Sequence, residues 1–558
     1  MIPNPSMITN TIRIGIRTAG SARICRALTF SSEDSMAIRR PQPVERITAA
    51  RVGWKVSSPS GSLATVRSMK AGSKDIPESL PTAPGAAPTP WPSLIPALVW
   101  VPEGGLPACP PPGDCSARAP SRALHLPCSG RVVDGSGQTP LGSARPIGGL
   151  REPFGLVGSA CESAGGPLRG EALSGLRAVG PAALAWEDGT VIYAGPASGL
   201  SPDGRTSRDA VEVDGAVLPG FVDCHTHLPF YGWRADEFEA RMAGKTYRDL
   251  HGSGGIFRSA RLLAEASDDE VMAFCRPLLE EMLEHGTTTL ELKTGYGLSV
   301  EAELRQARLA RRLSQEIEQT ATVTLLACHA VPEGKTREEW VKEVCEVLIP
   351  AAAAERLAEA VDVYVEDIAF TVQDLERVAA AARAHGMAIR SHADQLGPSG
   401  AAEAAVAVGA RSADHLNHVS PEGVRALGGS KMAAVVLPVS TLFLRADPPP
   451  VAELISSGAA VALATDFNPG TSPCLSIPEA ISVAASLYRL PPLAAVVAAT
   501  LNAAWVLGLH DRLGSLEPGK RADFVVLDSP DVATIPYRPG HNPVAQTWIA
   551  GERRYRRS

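Results

Sequence analysis

Paired cysteines and long apolar runs are both missing from this chain. None of its ten cysteines stands in a CxxC pair, and a chain of 558 residues needs no disulfide staples, so reduced thiols in a cytoplasm are expected. No stretch of about 18 uninterrupted apolar residues occurs, which predicts no membrane span. The net charge of −7 gives no electrostatic footprint for nucleic acid. We therefore expect a small-molecule function without a nucleic-acid or membrane partner.

Aromatic residues are also scarce, at 5% of the sequence, whereas hydrophobic residues together reach 45%. Ala, Gly, Leu and Val dominate the composition, which is typical of α/β proteins with many small contacts between helices and strands. The length exceeds one average domain, so two or three structural units are expected.

Residues 1–170 differ from the rest of the chain. They are rich in Pro, Gly, Ser and Arg, as in PTAPGAAPTPWPSLIPALVWVPEGG, and such proline density removes backbone donors and blocks helices. We expect a disordered N-terminal extension. Its Arg- and Ser-rich start weakly resembles a transit peptide, against which Glu33 and Asp34 argue. A natural start further downstream is the alternative.

A regular alternation of strands and helices occupies residues 219–510. Helical stretches, several closed by a Gly, separate eight apolar runs. The runs are FVDCHTH, GTTTLELKTG, TVTLLACHA, AVDVYVED, GMAIRSHAD, ARSADHLNH, KMAAVVLP and VALATDFNP. Eight alternations predict an α/β fold, a (β/α)8 barrel of the TIM type. The competing doubly wound sheet is disfavoured because no glycine-rich phosphate loop follows any strand.

Short strands with Gly and Asp turns flank the barrel on both sides, in residues 171–218 and 511–558. Because chain ends commonly meet, we expect these strands to pair into one small β-sandwich-like domain. The predicted division is therefore a 1–170 extension, a barrel at 219–510, and a small domain built from both flanks.

Histidines and one aspartate occupy the ends of the predicted strands. His225 and His227 are two residues apart and so project from one face of the first strand. Alone, such a pair is more often two ordinary histidines than a metal site. Here His329, His392, His415 and Asp466 end later strands, at the edge where reactive residues of such barrels collect.

Three histidines and a carboxylate suit a transition metal that keeps an open position for water, whose pKa the metal lowers. The pattern therefore predicts metal-assisted hydrolysis of an amide, amidine or ring C–N bond.

Several phrases then make the pattern more specific. They are DCHTHLPFYGWRADEF, GTTTLELKTGYGL, ACHAVPEG, IRSHADQ, SADHLNH and ATDFNPGTSP. From about residue 180 to the C-terminus the chain resembles the imidazolonepropionase family of the amidohydrolase superfamily. The resemblance implies hydrolysis of 4-imidazolone-5-propanoate to N-formimidoyl-L-glutamate in histidine degradation, with one Zn or Fe ion as cofactor.

The resemblance also implies roles for individual residues. The family's metal ligands correspond to His225, His227, His392 and Asp466. Its catalytic residues correspond to Asp466, as general base, and His415, which faces the substrate carbonyl. Positions that contact the ring or its propionate correspond to Arg234, Tyr296, His329, Gln395, Asn468, Gly470 and Thr471.

Three further expectations concern chemistry and assembly. Gln395 is neutral where some relatives carry Glu, so we expect hydrogen bonding from it rather than proton transfer. Lys293 stands near a strand end, but the resemblance does not support a carbamylated lysine bridging two metals, so one metal is expected. Relatives are often homodimers, although no sequence feature here requires one.

Two other functions compete with this interpretation. One is a related cyclic amidohydrolase or a nucleobase deaminase, for which the carboxylate-binding Arg234 would have no purpose. The other is a catalytically silent barrel used as a scaffold, against which the intact set of four ligands argues.

Overall fold

A computed structural model describes residues 131–133, 166–174, 182–200, 210–213, 215–246, 249 and 254–558. All of these residues belong to the second of the two units into which the chain divides, residues 117–558. The prediction of a disordered extension falls largely outside the described residues. One described piece of it, β1 (Arg131–Val133), pairs antiparallel with β4 (Ala210–Glu212).

The centre of the fold is an eight-stranded parallel sheet whose strands follow one another in chain order. Its strands are β6 (Phe221–Asp223), β7 (Thr287–Lys293), β8 (Thr320–Cys328), β9 (Ala360–Val365), β10 (Ala388–Ala393), β11 (Ser412–His415), β12 (Ala433–Val436) and β13 (Ala460–Leu463). Each coincides with one of the eight apolar runs, so the (β/α)8 barrel is confirmed.

The first and last strands close the barrel. A parallel bridge joins Thr226 to Phe467 just beyond β6 and β13, and the His227 N–H donates to the Phe467 carbonyl at 2.8 Å. This seam lies at the carboxyl ends of the two strands, next to the residues predicted to bind metal.

Helices surround the sheet, and several of them begin at a residue whose side chain accepts a hydrogen bond from a free N–H group of the first turn. Ser267, Thr336 and Thr371 each form a capping box with the carboxylate three residues later. No helix in the described part of the chain is long and apolar enough to cross a membrane.

The α-helices are α1 (Ala235–Met242), α2 (Gly255–Glu265), α3 (Asp268–Glu284), α4 (Val300–Glu316), α5 (Arg337–Glu343), α6 (Ile349–Ala354), α7 (Val372–Ala384), α8 (Ala401–Ala407), α9 (Pro421–Gly429), α10 (Pro438–Leu444), α11 (Val451–Ser456), α12 (Ile477–Tyr488), α13 (Pro492–Ala498), α14 (Leu501–Leu507) and α15 (Thr534–Tyr537). A π-helical turn, Val344–Leu348, joins α5 to α6.

Both flanks of the barrel supply strands to one small antiparallel sheet. Its order is β16 (Glu552–Arg556), β15 (Val544–Ile549), β14 (Phe524–Leu527) and β5 (Val217–Pro219), so one strand precedes the barrel and three follow it. A hairpin of β2 (Ala182–Glu187) and β3 (Thr190–Pro196) joins this sheet at the Thr190–Arg521 bridge. Both flanks of the barrel thus contribute strands to the same small sheet.

An aromatic cluster forms the core of this small domain. The rings of Phe524 and Trp548 stack with centroids 5.1 Å apart, and Trp186 lies 5.4 Å from Phe524. Trp186 comes from the first flank and the other two from the second. The two flanks therefore hold each other together by apolar burial as well as by strand pairing.

The described segment 166–174 spans the expected boundary at 170. The Leu168 N–H donates to Asn502 Oδ1 at 2.8 Å, and Asn502 Nδ2 donates back to the Leu168 carbonyl at 2.9 Å. Leu173, in the 3-10 turn Gly170–Ser174, is fully buried. This segment packs at the start of β13, on the barrel rather than on the small domain.

Candidate metal centre and substrate cavity

The four predicted metal ligands meet at the carboxyl ends of the barrel strands. His225 and His227 follow β6, His392 lies in β10, and Asp466 follows β13. The ligand atoms of His225, His227 and His392 all lie within 4.8 Å of one another, and so do those of His225, His415 and Asp466. Asp466 Oδ1 is 3.2 Å from His227 Nε2 and 3.7 Å from His225 Nε2.

The hydrogen bonds of two of these histidines fit a metal site. His225 Nδ1 lies 2.6 Å from Asp414 Oδ2, and His392 Nδ1 lies 3.1 Å from Asp362 Oδ1. An Nδ1–H that donates to a carboxylate leaves Nε2 with its lone pair, which is the usual arrangement of a metal-binding histidine. Both Nε2 atoms are buried, and neither has a hydrogen-bond partner in the described structure.

The electrostatics of the cluster favour neutral imidazoles, the form that binds a metal. Burial, reinforced by nearby cationic and imidazole groups, lowers the pKa of His225 and His227 well below the usual value. Burial also lowers the pKa of His415 to about 3. Burial raises the pKa of Asp466, while His415 and the Ser440 hydroxyl oppose that rise.

Three residues at these strand ends have a strained backbone. His415, Leu416 and Asp466 adopt left-handed φ angles of 81°, 62° and 57°. Residues other than glycine rarely occupy this region, and those that do tend to lie at functional sites. His415 is the last residue of β11, and Asp466 lies three residues beyond the end of β13, so both strained residues contribute a side chain to the cluster.

A small cavity opens beside the cluster. It is lined by most of the predicted site residues, namely His227, Arg234, Tyr296, His329, His392, Gln395, His415, Asp466, Asn468 and Thr471. His225 lies deeper, and Gly470 is not in the cavity wall. The wall also includes Ile256 and Tyr364, which the sequence analysis missed. Tyr364 could have been predicted, because it follows Asp362 by two residues in β9 and therefore lies on the same face of that strand.

Arg234 is buried in the cavity wall rather than exposed on the surface. Its side chain is only 3% exposed, its Nε lies 3.8 Å from Glu237 Oε2, and its Nε and Nη1 have no hydrogen-bond partner in the described part of the chain. The guanidinium lies against Gly470, where a Cβ would be 1.7 Å from Nη2. Gly470 therefore contributes to the site indirectly, because its missing side chain leaves space for the guanidinium of Arg234.

Two side chains of α4 hold the loop that carries Tyr296. Glu303 Oε1 accepts from the N–H groups of Gly297 and Leu298 at 2.7 and 3.0 Å, and Gln306 Oε1 accepts from the Tyr296 N–H at 3.0 Å. His329 Nδ1 bonds the Gly295 carbonyl at 3.1 Å. The Tyr296 ring lies 5.5 Å from that of His329, so loop and histidine form one wall.

The loop after Asp466 is shaped by Asn468. Its Oδ1 accepts from the N–H groups of Gly470 and Thr471 at 2.9 and 2.7 Å and from the Thr471 hydroxyl at 3.0 Å. Its Nδ2 donates to the Asp466 carbonyl at 2.7 Å. The side chain thus fixes the turn that presents Asp466 and Thr471. The roles of these residues toward substrate stay predictions.

The carboxylates behind the histidines were not predicted from the sequence, although a signal for them was present. Asp362 and Asp414 are charged residues inside otherwise apolar, fully buried strands. A charge is rarely fully buried unless it is paired. Such residues in a predicted barrel strand indicate a partner inside the barrel.

The chain is similar in sequence to known proteins of one family. Residues 216–554 match the model of the amidohydrolase family. The imidazolonepropionase of Rubrobacter xylanophilus is 44% identical over 391 residues, which cover 69% of this chain and 94% of that protein. The imidazolonepropionase of Deinococcus radiodurans is 42% identical over 388 residues, with 69% and 95% covered.

Solved structures with the same fold are more distant in sequence. A 5-methylcytosine deaminase from Klebsiella pneumoniae liganded with 5-fluorocytosine aligns with a TM-score of 0.54 at 17% identity, covering 68% of this chain and 94% of that one. A zinc-bound adenosine deaminase from Xanthomonas campestris aligns with a TM-score of 0.50 at 20% identity, covering 67% and 88%. At such identities the likeness shows the barrel fold alone.

Proposed function

This chain belongs to the imidazolonepropionases of the amidohydrolase family, and from that premise we propose how its residues divide the reaction. It is a hydrolase that acts on the C–N bond of a cyclic amide, 4-imidazolone-5-propanoate. Water adds to the ring carbonyl carbon, the C–N bond breaks, and N-formimidoyl-L-glutamate is released.

The observation that carries the division of roles is the buried guanidinium of Arg234 in the same cavity as the ligand cluster. A buried cation needs an anionic partner, and a planar guanidinium matches a carboxylate. The propionate of the substrate supplies that carboxylate. A neutral nucleobase would offer no carboxylate to the Nε and Nη1 groups of Arg234, which have no hydrogen-bond partner in the described residues, so the deaminase alternative is disfavoured.

Binding at Arg234 orients the ring between the two walls of the cavity. Tyr296 and His329 form one wall, and Gln395 lies on the strand-end loop beside His392. We assign hydrogen bonding to the ring to these three residues. Gln395 carries no charge and takes no part in proton transfer.

The ligand set of three histidines and Asp466 is assigned one metal ion, zinc or iron. A bound transition metal supplies Lewis acidity, which makes water a competent nucleophile near neutral pH.

Two residues of this chain act on the substrate during the reaction, one by transferring a proton and one by stabilising negative charge. Asp466 accepts a proton from the attacking water and returns it to the leaving ring nitrogen, so the proton balance closes within the site. His415 faces the ring carbonyl and donates a hydrogen bond to the oxygen as it gains negative charge. Both side chains line the cavity, as these roles require.

The test is an assay of the full-length, metal-loaded protein with 4-imidazolone-5-propanoate, in parallel with cytosine, guanine and adenosine. We expect loss of the imidazolone and formation of N-formimidoyl-L-glutamate, with no deamination of the three other compounds. Turnover of a nucleobase without ring opening of the imidazolone would overturn the proposal.

Three broader assignments are also proposals. We propose a homodimer located in the cytoplasm, in keeping with the free cysteines of the described residues. We further propose the division into an extension at 1–170, a barrel at 219–510 and a small domain from 171–218 and 511–558. Within this division, the described segment around residue 170 contacts the barrel through the hydrogen bonds between Leu168 and Asn502.

A further inference from the structure

The interior of the barrel contains charged side chains directly behind the metal ligands. Barrels of this type are normally filled by branched apolar residues. Here five charged residues point into the interior, and each is at most 1% exposed: Glu291, Lys293, Asp362, Arg390 and Asp414. We call this set the charged layer. Burying so many charges is costly unless their mutual attraction and hydrogen bonds offset the loss of hydration.

Glu291 joins the two cations of the charged layer. Lys293 Nζ lies 2.9 Å from Glu291 Oε2 and 2.7 Å from Asp362 Oδ2. Arg390 Nη1 pairs with Glu291 Oε1, and Arg390 Nη2 lies 2.6 Å from Asp414 Oδ2. The chain of contacts therefore runs from Asp362 through Lys293, Glu291 and Arg390 to Asp414, across four of the barrel strands.

Each end of the charged layer holds one ligand histidine. Asp414 Oδ2 accepts from His225 Nδ1 at 2.6 Å. Asp362 Oδ1 lies 3.1 Å from His392 Nδ1 and accepts from the His392 backbone N–H at 3.2 Å. Arg390 Nη1 also donates to the carbonyl of Cys224, one residue before His225, at 2.8 Å.

These contacts constrain the direction of the imidazole rings. An imidazole ring can rotate about its bond to Cβ unless a hydrogen bond at Nδ1 prevents it. The carboxylate that accepts this hydrogen bond can also rotate unless further contacts fix it. The oxygen of Asp362 that does not face His392 is bound by Lys293, and Asp414 is bound by Arg390. Removing either cation would free the carboxylate, and through it the ring.

We propose that Lys293 and Arg390 are positioning residues that aim Nε2 of His392 and His225 at the metal by fixing Asp362 and Asp414. This inference rests on the metal site of the proposed function and adds two residues to it. It also gives Lys293 a role other than carbamylation, because its amine is already engaged by two carboxylates.

A role in the fold alone does not account for the charged layer. The strands that carry it are already joined by parallel ladders on both sides. Replacing buried ion pairs by apolar residues of similar volume is often neutral or stabilising in proteins. The charges therefore need a purpose beyond stability, and both ends of the layer stop at a ligand.

The first test measures metal affinity by chelator competition with Zn²⁺ and Co²⁺ on the full-length protein. We expect Lys293→Met and Arg390→Met each to weaken affinity about 10- to 100-fold, the range typical of changes behind a metal ligand. The visible absorption of the Co²⁺ form should change as well, since it reports ligand geometry. Unchanged affinity and an unchanged spectrum would overturn the proposal.

The matched control is Arg169→Met. Arg169 is a partly buried cation at the opposite end of the barrel, where it donates to the carbonyls of Gly458 and Gly428 at 2.9 and 2.6 Å. This variant should lose stability without any change in metal affinity or in the Co²⁺ spectrum. If the Co²⁺ spectrum of Arg169→Met changed as much as that of Lys293→Met, the change would reflect a general loss of stability and would overturn the specific role of Lys293.

A double-mutant cycle tests the route of action and avoids an unpaired buried charge. Lys293→Met combined with Asp362→Asn removes one charge of each sign, which favours folding of the double variant. We expect its metal affinity to equal that of Asp362→Asn alone. Additive losses would show that Lys293 does not act through Asp362. A wild-type protein that binds no metal would instead overturn the site of the proposed function.

Discussion

At the scale of single residues, the shape of the cavity depends on a position without a side chain as well as on the side chains that line it. Gly470 leaves the space in which the Arg234 guanidinium lies, and its φ is not in the left-handed region. Alanine could therefore adopt the same backbone at this position. Only the space available to Arg234 would change.

Gly470→Ala is expected to reproduce the effect of Arg234→Ala. Both should raise KM about 10- to 100-fold with little change in kcat, because a hydrogen bond to a charged group contributes about 1.5–3 kcal/mol and this one is made in ground and transition states alike. Steady-state kinetics with the imidazolone measure both. Gly429→Ala is the control, since its added Cβ meets nothing within 4 Å. An effect confined to kcat would contradict carboxylate binding by Arg234.

Asp466→Asn is expected to lower kcat by at least about 100-fold, the usual size of a lost general base. Asn has the same shape and removes a buried carboxylate, so the melting temperature should stay close to that of the wild type. Asp511→Asn, an exposed position, serves as the control. A wild-type kcat in Asp466→Asn would remove this residue from the mechanism.

The residues of the site were predictable to different degrees. His225, His227, His392, His415 and Asp466 stand at the ends of recognisable strands, so strand assignment alone brings them to one edge. The partners behind them were not predictable. Asp414 bonds His225 across 189 residues, and a strand pattern carries no information on which inward-facing residues touch.

At the scale of elements, carboxylates hold the strand-end loops in place. Glu366, just after β9, accepts at Oε1 from the N–H groups of Gln395 and Leu396 at 2.5 and 2.9 Å. Burial raises its pKa to about 7, the two N–H groups oppose that rise, and Asp394 and Asp367 add to it. The loop that carries Gln395 is therefore tied to a titratable group.

Glu366→Gln is expected to change the pH dependence of stability. The folded protein keeps the Glu366 proton up to about pH 7, whereas an unfolded chain releases it near its ordinary pKa of 4.5. Stability from this group is thus present below pH 4.5 and lost as the pH rises to about 7. At 1.36 kcal/mol per pKa unit the loss is at most about 3 kcal/mol.

Melting temperatures measured from pH 4.5 to 7.5 test this expectation. Wild type should lose stability relative to Glu366→Gln across that range, whereas the exposed Glu376→Gln variant should follow the wild type. Parallel curves for wild type and Glu366→Gln would show that Glu366 titrates normally.

All eight barrel strands could be predicted because parallel strands buried on both faces give short continuous apolar runs. The helices were harder to delimit. The π-helical turn Val344–Leu348 interrupts what the apolar pattern presents as one helix, and α9 to α11 are only six to nine residues long. Such short helices depend on tertiary packing rather than on local propensity.

At the scale of the whole molecule, the segment before the small domain is attached to the barrel through Asn502. This fully buried side chain bonds both backbone groups of Leu168, and its Nδ2 also lies 2.7 Å from the Val461 carbonyl in β13. The pairing of Leu168 with Asn502 spans 334 residues, so no local pattern could have revealed it. The meeting of the two flanks, in contrast, was predicted because chain ends commonly meet.

Asn502→Ala is expected to destabilise the fold without affecting catalysis. It leaves three buried backbone groups without their partner, at about 1–3 kcal/mol for each. The site is at the other end of β13, so kcat and KM should not change in the folded variant. Chemical denaturation and steady-state kinetics check the two parts. A wild-type melting temperature would show that the segment adds nothing to stability.

The closing seam between β6 and β13 has a consequence for how the protein is made. The hydroxyl of Thr465 donates to Asp223 across 242 residues, beside the ligands that the two strands contribute. Synthesis proceeds from the N-terminus, so the ribosome releases His225 long before Asp466. Under the proposed ligand assignment, a nascent chain has no complete set of ligands until its last barrel strand has emerged, and metal acquisition would then belong to the finished barrel.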